Sequence, residues 1–446
     1  MHHPVIIVAD APAALTEFCG ISLVERLLRT LQRLDLTRAI VLSATPDLLE
    51  SRLANPSRHR AGVAIDLRQR PAGPLQVGQI AEIWPNHSET ALLIRGDSFF
   101  ESRLLEWLTD QRGTAVLVDS APPTRLQRLV TSALPTTRGR VCGAALFSHG
   151  WMKSHDGELE RSLRTEIDAG EVQVLDISAR DWHDAEMRRR SHPLWFPAPA
   201  AETVSVAQRL LLKSIQKGSL DFPALVHGPI ENFLISHLCR TAISPNQLTA
   251  FTNLVAWTAT FLFATGYLGW GALLALAVGV LDGLDGKQAR VKVETTRMGK
   301  LEHLFDALFE HSWWIALAYS LHHSGRLPGA FVYLVVLMGS EGIAGLSKLK
   351  VMRACGRTLD ELGDFNRIVR LIGGRRNIYI WIFALGLMIG LPAQAYVLMA
   401  TWAAISAVVQ ALRAWIAIRT YRLDRVSPEN SGRGLIAASD TAIREQ

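Results

Sequence analysis

Cysteine is scarce in this sequence, and the cysteines present form no recognisable motif. The chain of 446 residues has four of them, Cys19, Cys142, Cys239 and Cys355, and none stands in a CxxC spacing. Isolated cysteines of this kind indicate free thiols in a reducing compartment rather than a disulfide framework. Met1 leads straight into a strand-like run, without the basic start and apolar core of a signal peptide.

Internal repeats and low-complexity tracts are also missing, so the chain is not a repetitive array. Its length leaves room for two or three domains. The net charge is +6 and the pI is about 9.3. This modest basic excess suits either nucleic acid or an anionic membrane surface. We expect a membrane as the partner and no nucleic acid.

Residues 1–195 predict a soluble, Rossmann-like α/β domain. Short apolar runs such as Val5–Ala9 and Ala115–Val118 alternate with helix-period segments such as Ser22–Leu34. This alternation is typical of a mostly parallel, doubly wound sheet, whose ligands bind at the carboxyl ends of the strands. Asp10 and Asp97 each follow a predicted strand, so both could face that edge.

Residues 196–243 predict a linker with two helix candidates, 202–217 and 229–240. On the second of these, Ile230, Phe233 and Leu238 share one face. Such a face suits a helix in the membrane interface, and a helix packed on the soluble domain is the alternative. At the other end of the chain, residues 426–446 are polar and predict a disordered tail.

Residues 244–425 predict an all-α bundle of six transmembrane helices. Ser244 and Pro245 give the first helix a capping residue and a proline in its first turn. Basic residues crowd the loops on one side, whereas the other side holds only Arg326. We therefore expect a multi-pass protein of the inner membrane with both termini in the cytoplasm. The spans, each near twenty apolar residues, are 247–265, 268–284, 303–322, 328–347, 377–391 and 394–412.

The stretch 281–310 carries the candidate chemistry. Asp282 and Asp285 are three residues apart and share a helix face with Gly286 and Ala289. The small side chains allow a bulky anionic ligand to approach the backbone, and Arg290 supplies a planar donor fork for phosphate. Carboxylates at the end of an apolar helix are costly unless they are paired or metal-bound, and oxygen ligands suit Mg²⁺ or Mn²⁺. A solvated acidic rim is the alternative.

This stretch resembles the signature of the CDP-alcohol phosphotransferases, D-x2-D-G-x2-A-R-x8-G-x3-D-x3-D. The range Asp282–Gly299 matches the first half fully. The resemblance implies a metal-dependent transferase that moves a substituted phosphate from a CDP-alcohol to an alcohol and releases CMP. It implies that Asp282 and Asp285 bind metal and that the CDP is received by Gly286, Ala289 and Arg290.

The second half of the signature departs from the family pattern. The literal positions hold His303 and Ala307, whereas Glu302 and Asp306 keep the four-residue spacing one residue early. Asp306 and Glu310 have the same four-residue spacing, but they lie three residues after the family's positions. We predict the early register, because it needs the smaller change and because Glu310 lies about 6 Å deeper in the span than Asp306. Asp306 is then the general base and a metal ligand, and Glu302 is the bridging metal ligand.

The amino-terminal segment resembles the sugar-type nucleotidyltransferases. GISLVERLLRTLQRLDLTRAIVL resembles their first helix and second strand, and LLIRGDSFFE resembles their metal-binding aspartate turn. The resemblance gives that role to Asp97, and Asp184 in WHDA is a candidate for the family's second metal aspartate. The family's Gly-rich phosphate loop is missing, since VADAPAALTEFCG offers no glycine run and no basic residue. We therefore expect a degenerate domain, and an active one is the alternative.

Together these patterns predict an enzyme of phospholipid synthesis, with CDP-diacylglycerol as the expected donor and a small alcohol or phosphorylated polyol as acceptor. One alternative is a bifunctional cytidylyltransferase and phosphotransferase that makes an inositol-phosphate phosphodiester; another is an ion transporter. Arg375 and Arg376 could hold an acceptor's phosphate or could anchor the fifth span. His303 and His311 are expected to be structural. We also expect a homodimer.

Overall fold

The computed structural model describes residues 3–54, 61–84, 88–184, 187–218, 221–294 and 299–426, and in the last range it describes side chains from 305 to 422. Contacts divide the chain into two compact units. The first gathers the described parts of 1–216, 232–247 and 284–297. The second gathers those of 217–231, 248–283 and 298–446. The helix that carries the acidic motif therefore supplies residues to both units.

The first unit is built on a mixed β-sheet with helices around it. Its strands form where the sequence has short β-branched and aliphatic runs, which fill a pleated and buried surface well. The strands are β1 Val5–Val8, β2 Glu17–Phe18, β3 Ile21–Ser22, β4 Arg38–Ser43, β5 Ala64–Gln69, β6 Thr90–Arg95, β7 Ser98–Phe100, β8 Ala115–Asp119, β9 Pro135–Thr136, β10 Gly139–Ser148, β11 Gln173–Asp176, β12 His183–Asp184, β13 Arg189–Arg190 and β14 Trp195–Pro197.

The order of strands in the main sheet is β11-β8-β10-β6-β1-β4-β5, with β9 paired to β10. β1 lies between β4 and β6 and is parallel to both, and β4–β5 and β8–β11 are parallel as well. β10 is antiparallel to β6 and to β8. The predicted α/β class with a mostly parallel sheet is confirmed, and the antiparallel β10 is the element that the prediction did not contain.

Eight helices are described in the amino-terminal part of the first unit. The first of them starts at a capping serine, because Ser22 Oγ accepts a hydrogen bond from the backbone N–H of Glu25 (3.4 Å). Leu27, Leu28 and Leu31 on this helix are buried. The helices are α1 Leu23–Arg33, α2 Pro46–Leu53, α3 Val77–Glu82, α4 Ser102–Thr109, α5 Thr124–Gln127, α6 His149–Ser154, α7 Leu159–Ala169 and α8 Val204–Ser214.

The first unit continues past residue 195, where the sequence suggested a linker. β14 pairs antiparallel with β7. Trp195 and Phe196 are fully buried, and the Phe196 ring stacks on that of Phe99 with centroids 4.9 Å apart. Large aromatic side chains contribute much of the stability of a core when they are buried in this way. The segment around β14 is thus part of the packed interior.

The remaining helices coincide with the apolar runs of the sequence. The first long one begins at Pro245 as predicted, because Ser244 Oγ accepts from Gln247 N (3.3 Å) and Gln247 Oε1 accepts from Ser244 N (2.9 Å). This reciprocal pair is a capping box. The helices are α9 Phe222–Leu238, α10 Pro245–Ala264, α11 Leu268–Lys292, α12 Gly299–His323, α13 Ala330–Cys355, α14 Asp364–Ile372, α15 Arg376–Met388 and α16 Pro392–Val426.

Three helices among the described residues are long and apolar enough to cross a membrane: Leu268–Lys292, Ala330–Cys355 and Pro392–Arg422. Arg376–Met388 is apolar but shorter. A helix covers each of the six predicted spans, and three of the six meet the criterion of length and composition. The chain therefore has the helices of a membrane protein, and a count of six spans stays a prediction.

Aromatic side chains and close helix contacts hold the second unit together. Trp313, Trp314 and Tyr396 are fully buried. Two of them form hydrogen bonds to the backbone: Trp313 Nε1 donates to Ala256 O (2.9 Å) and Tyr396 Oη donates to Trp314 O (3.1 Å). A buried aromatic residue with a bonded polar atom fixes one arrangement of neighbouring helices.

Replacing Gly386 by alanine is expected to destabilise the second unit by about 1–3 kcal/mol, the usual cost of overpacking. A Cβ at Gly386 would lie 2.3 Å from Ala395 Cβ, and small residues let α15 and α16 approach here. Thermal unfolding in detergent would measure the loss. The control is Gly342→Ala on α13, where nothing lies within 4 Å of the added Cβ. An equal loss in both variants would contradict the close-packing explanation.

Candidate functional site

The motif aspartates lie one turn apart near the end of α11. Asp282 Oδ2 accepts a hydrogen bond from Arg376 Nη2 at 2.6 Å, inside the second unit. Asp285 is almost fully buried, and its Oδ1 accepts from the backbone N–H of Gly286 at 2.6 Å. Both carboxylates are therefore ordered and hydrogen-bonded, which a loosely solvated acidic rim would not require.

Arg376 is the centre of the acidic cluster in the second unit. It is the first residue of α15, and its guanidinium lies 5.1 Å from the centre of the buried Phe309 ring. Its charge is attracted by Asp282, Glu310 and Asp306. One arginine thus gathers carboxylates from α11 and α12 that are distant in sequence, and it balances part of their charge.

The candidates for the third and fourth motif positions lie on α12. The side chain of Glu302 lies outside the described residues, and so does that of His303. Asp306 is half-buried and lies within the field of Arg376. Glu310, on the same helix, is half-buried and interacts with Glu341 of α13.

His311 contacts residues of two neighbouring helices, α12 and α13, beside the acidic cluster. Its Nε2 lies 3.5 Å from Glu341 Oε2, and its Nδ1 is hydrogen-bonded to the carbonyl oxygen of Ala307. The histidine therefore ties α12 to α13 beside the acidic cluster. Glu341 itself was not among the predicted residues. A single carboxylate inside the apolar run 328–347 is the sequence signal that could have identified it.

The Gly286, Ala289 and Arg290 part of the motif belongs to the first unit. Arg290 Nε donates to the carbonyl oxygen of Ile215 at 3.0 Å. A Cβ at Gly286 would lie 3.2 Å from Arg290 Nη1, so the glycine leaves space for the guanidinium against the helix. The buried Lys287 beside it donates to Asn232 Oδ1 at 2.7 Å. This segment of α11 is therefore held by side-chain bonds as well as by its own helix.

Two further glycines of α11 admit side chains from α9 in the second unit. A Cβ at Gly283 would lie 2.6 Å from Glu231 Cδ, and one at Gly279 would lie 2.7 Å from His227 Cε1. Glu231 is buried, and His227 Nε2 accepts from Trp381 Nε1 at 3.3 Å. The start of α9 therefore packs closely on the motif helix, and the glutamate lies beside the first aspartate. Sequence patterns did not indicate either residue.

The carboxylates of the motif are of the chemical type that binds a hard divalent cation. Asp282, Asp285 and Asp306 offer carboxylate oxygens, which Mg²⁺ and Mn²⁺ prefer. Within the part of the chain that the structure describes, no three His, Cys, Asp or Glu side chains come together as a metal site. The metal role of these residues, with Glu302, stays a prediction.

In the sheet of the first unit, the predicted aspartates follow neighbouring parallel strands but are bound by arginines. Asp97 accepts from Arg95 Nε (3.0 Å) and Nη2 (2.8 Å). Arg95 also contacts Glu160, and the bond to Asp97 is the largest cause of its raised pKa. Asp10 accepts from the backbone N–H of Ala44 and pairs with Arg70. In this structure each of these carboxylates thus pairs with a guanidinium group, whereas a metal-binding aspartate would contact a metal ion.

Asp184, the second candidate metal aspartate, has different neighbours. Its Oδ1 accepts from Met187 N at 2.9 Å, and its Oδ2 lies 3.5 Å from Arg103 Nε. Arg103 is also paired with Glu101. All three aspartates that the sequence singled out in this domain therefore have an arginine partner. The missing phosphate loop in the sequence did not indicate these arginine partners.

Comparisons with known proteins agree with these features. Residues 242–413 match the CDP-alcohol phosphatidyltransferase family. A bifunctional IPC transferase and DIPP synthase of Rubrobacter xylanophilus is 27% identical over 255 residues, 57% of this chain and 52% of that protein. A protein of the same name from Thermococcus kodakarensis is 23% identical over 250 residues, 55% of this chain and 54% of that protein. The chain spans about half the length of these curated relatives.

Two solved structures are also similar. The inositol-1-phosphate CTP transferase of T. maritima matches 47% of this chain and 96% of its own, with 15% identity and a TM-score of 0.33. The Mycobacterium tuberculosis phosphatidylinositol phosphate synthase with CDP-DAG bound matches 43% and 94%, with 20% identity and a TM-score of 0.34. The resemblance of the motif to the CDP-alcohol phosphotransferases is confirmed by the family match.

Proposed function

Because residues 242–413 match the CDP-alcohol phosphatidyltransferase family, we propose that this protein is a membrane transferase that forms an inositol-phosphate-type phosphodiester. It takes a substituted phosphate from a CDP-activated polyol and passes it to a hydroxyl of a polyol phosphate. The observation that carries the proposal is the motif on α11, in which Asp282, Asp285 and Arg290 have the family spacing.

The choice of donor follows the curated relatives. The sequence suggested CDP-diacylglycerol as donor first, and the alternative was a bifunctional cytidylyltransferase and phosphotransferase that makes an inositol-phosphate phosphodiester. Both curated relatives are bifunctional IPC transferases and DIPP synthases, which favours the alternative over a lipid donor. CDP-diacylglycerol is kept as the competing donor in the test below.

In the proposed reaction, an acceptor hydroxyl oxygen attacks the phosphorus next to the polyol of the donor. The bond from that phosphorus to the oxygen of CMP breaks, and CMP leaves with the electron pair. Asp306 accepts the hydroxyl proton as general base. Gly286 and Ala289 let the CDP approach the helix, and Arg290 binds its phosphate oxygens.

A divalent cation would be held by Asp282, Asp285, Glu302 and Asp306, and when bound it supplies positive charge to the attacking and leaving oxygens. The chain's own contribution is to hold a carboxylate of this set in place by a hydrogen bond. Arg376 does so for Asp282. Its neighbour Arg375 is the candidate for the phosphate of the acceptor.

Product analysis tests this proposal. The purified full-length protein in detergent or nanodiscs is incubated with Mg²⁺, one donor and a panel of alcohols. The donors are CDP-inositol and CDP-diacylglycerol. We expect CMP release with CDP-inositol and an inositol phosphate, together with a phosphodiester product. Turnover with CDP-diacylglycerol alone would instead establish the lipid donor. Failure of both donors with every acceptor would refute the transferase.

The amino-terminal domain is expected not to turn over CTP. It lacks a Gly-rich loop to bind a triphosphate, and Asp97 is held by Arg95 at 2.8 Å. The measurement is pyrophosphate release by the full chain with CTP and a panel of sugar and polyol phosphates. Release that disappears in Asp97→Asn would contradict the prediction and make the protein bifunctional. The matched control is Asp66→Asn, whose exposed carboxylate pairs with Arg68 in the same way.

The proposed topology can be tested at the loop between α12 and α13. The excess of basic residues in the other loops predicts both termini on the cytoplasmic side and residues 322–328 outside. A cysteine introduced at Ser324 should react with an impermeant maleimide added outside intact cells, and one at Arg357 should react only after lysis. The reverse pattern would refute the topology.

A further inference from the structure

Two of the four cysteines, far apart in the sequence, meet in the first unit. Cys19 lies in the turn between β2 and β3, and Cys239 follows α9. Their side chains interact with each other and both residues are buried, and Cys239 Sγ also donates to the carbonyl oxygen of Ser236 (3.5 Å). The backbones are equally close: a Cβ at Gly20 would lie 2.4 Å from the carbonyl oxygen of Cys239. The β2–β3 turn therefore packs directly on the segment after α9.

The turn that presents Cys19 has an uncommon backbone. Cys19 has φ 53° and Gly20 has φ 74°, both in the left-handed region. Glycine adopts this region freely, but a residue with a side chain does so at a cost in energy. Strained residues of this kind persist where the surrounding structure holds them, and they concentrate at functional positions.

A buried guanidinium lies beside the thiol pair. Arg26 is 2% exposed, and its Nε and Nη2 have no hydrogen-bond partner among the described residues. It lies over the rings of Phe18 (5.0 Å) and Phe99 (5.7 Å), and its charge attracts both Cys19 and Cys239. A buried cation without hydrogen-bond acceptors favours a negative charge next to it.

The thiolate is expected on Cys239 rather than on Cys19. The hydrogen bond from Cys19 is the largest cause of the lowered pKa of Cys239, and the cations Arg240 and Lys292 add to it. The same bond raises the pKa of Cys19. Cys142 has no such environment, since burial raises the pKa of its thiol well above the ordinary value. Thiolates are the reactive form, so the pair combines a nucleophile with a neighbouring thiol.

A cleft lies next to the segments that carry the pair. It has a volume of ≈ 270 Å³ and is lined by the residue that follows each cysteine, Gly20 and Arg240. Charged side chains of both signs form much of the rest of its wall, including Arg29, Arg52 and Glu25. A polar, charged thiol compound can therefore be accommodated beside the segments that carry the two cysteines.

We propose that Cys19 and Cys239 form a redox-active dithiol, which a low-molecular-weight disulfide converts into a reversible intramolecular disulfide. The Cys239 thiolate attacks one sulfur of the small disulfide and displaces a thiolate. Cys19 loses its proton and attacks the Cys239 sulfur of the mixed disulfide, which displaces the second thiolate. The two cysteines lose two protons and two electrons, and the small disulfide becomes two thiols.

The disulfide would fix a segment that holds the motif helix. Gln288 Nε2 donates to the carbonyl oxygens of Leu238 (3.2 Å) and Ile243 (2.9 Å), and Lys292 Nζ donates to that of Thr241. All these residues belong to the first unit. Oxidation would thus lock the β2–β3 turn to the residues on which the end of α11 is anchored.

Thiol counting on the full-length protein tests this proposal. The protein in detergent is treated with oxidised glutathione, denatured and titrated with a thiol reagent, and its peptides are identified by mass spectrometry. We expect the loss of two of the four thiols, a Cys19–Cys239 cross-linked peptide, and recovery of all thiols with dithiothreitol. Oxidation of Cys239 should be at least about tenfold faster than that of Cys142, because the thiolate is the reactive form.

Variants distinguish the pair from general thiol reactivity. Cys142→Ser should still lose two thiols, whereas Cys19→Ser and Cys239→Ser should form no intramolecular disulfide. Stable glutathionylation of Cys239 without a cross-link would overturn the proposal, and so would oxidation of Cys142 or Cys355 before the pair. If a serine variant fails to fold, the cross-linked peptide in the wild-type protein decides.

Discussion

Replacing Asp282 or Asp285 by alanine is expected to reduce CMP release by at least about 100-fold, because the transferase would lose a carboxylate that positions positive charge at the reacting phosphate. Both aspartates are ordered by hydrogen bonds at the end of α11. Steady-state CMP release by the purified protein measures the effect. Activity of the wild-type protein should also require Mg²⁺ or Mn²⁺ and should disappear in a chelator.

Two controls separate chemistry from folding. Asp282→Asn keeps an oxygen that can accept the hydrogen bond from Arg376, so the second unit should stay folded while the charge is lost. Asp364→Ala removes a carboxylate that is 85% exposed and paired with Arg367 on α14, and it should leave activity unchanged. Full activity of the wild-type protein in a chelator, or of Asp282→Asn, would refute the metal-clamp mechanism.

Replacing Asp306 by asparagine is expected to keep nucleotide binding and to lower turnover by about 100-fold or more, the usual scale for the loss of a general base. Asp306 is half-buried and lies within the field of Arg376. Asparagine has almost the same shape but cannot accept the acceptor's proton. Titration of CMP binding by calorimetry, together with single-turnover kinetics, separates the two effects.

Glu302→Gln and Glu310→Gln distinguish the two acidic registers. In the early register Glu302 bridges the metal, so its variant should be inactive and Glu310→Gln should retain most activity. An active Glu302→Gln with an inactive Glu310→Gln would assign the base to Glu310.

Much of the fold could be predicted because it depends on local patterns. The apolar runs of the carboxyl-terminal half coincide with α10 to α13, α15 and α16, and the short fifth run became the short helix Arg376–Met388. The capping pattern at Ser244 also gave the start of α10. The antiparallel β10 could not be predicted in this way, since the direction of a strand depends on which distant strands it meets. For the same reason the strand Trp195–Pro197 was taken for a linker.

The candidate site was predictable where its residues lie on one helix and not where they come from several. Asp282, Asp285, Gly286, Ala289 and Arg290 share α11, so their spacing alone brought them together. The partner of Asp282 is Arg376, and no sequence rule pairs two residues from different helices at that separation. Glu341 reaches the cluster in the same way. The Arg95–Asp97 pair is the exception, because Arg95 ends β6 and Asp97 follows it only two positions later in the sequence.

The first unit is assembled from three separate stretches of the chain, 1–216, 232–247 and 284–297. A carboxyl-terminal truncation before residue 284 therefore removes part of this unit, and a fragment that stops at residue 195 also loses the Phe196 ring that stacks on Phe99. Activities of this protein should accordingly be dissected by point substitution in the intact chain. An inactive fragment would report the loss of a discontinuous domain, and it would carry no information on whether the sheet of the first unit is catalytic.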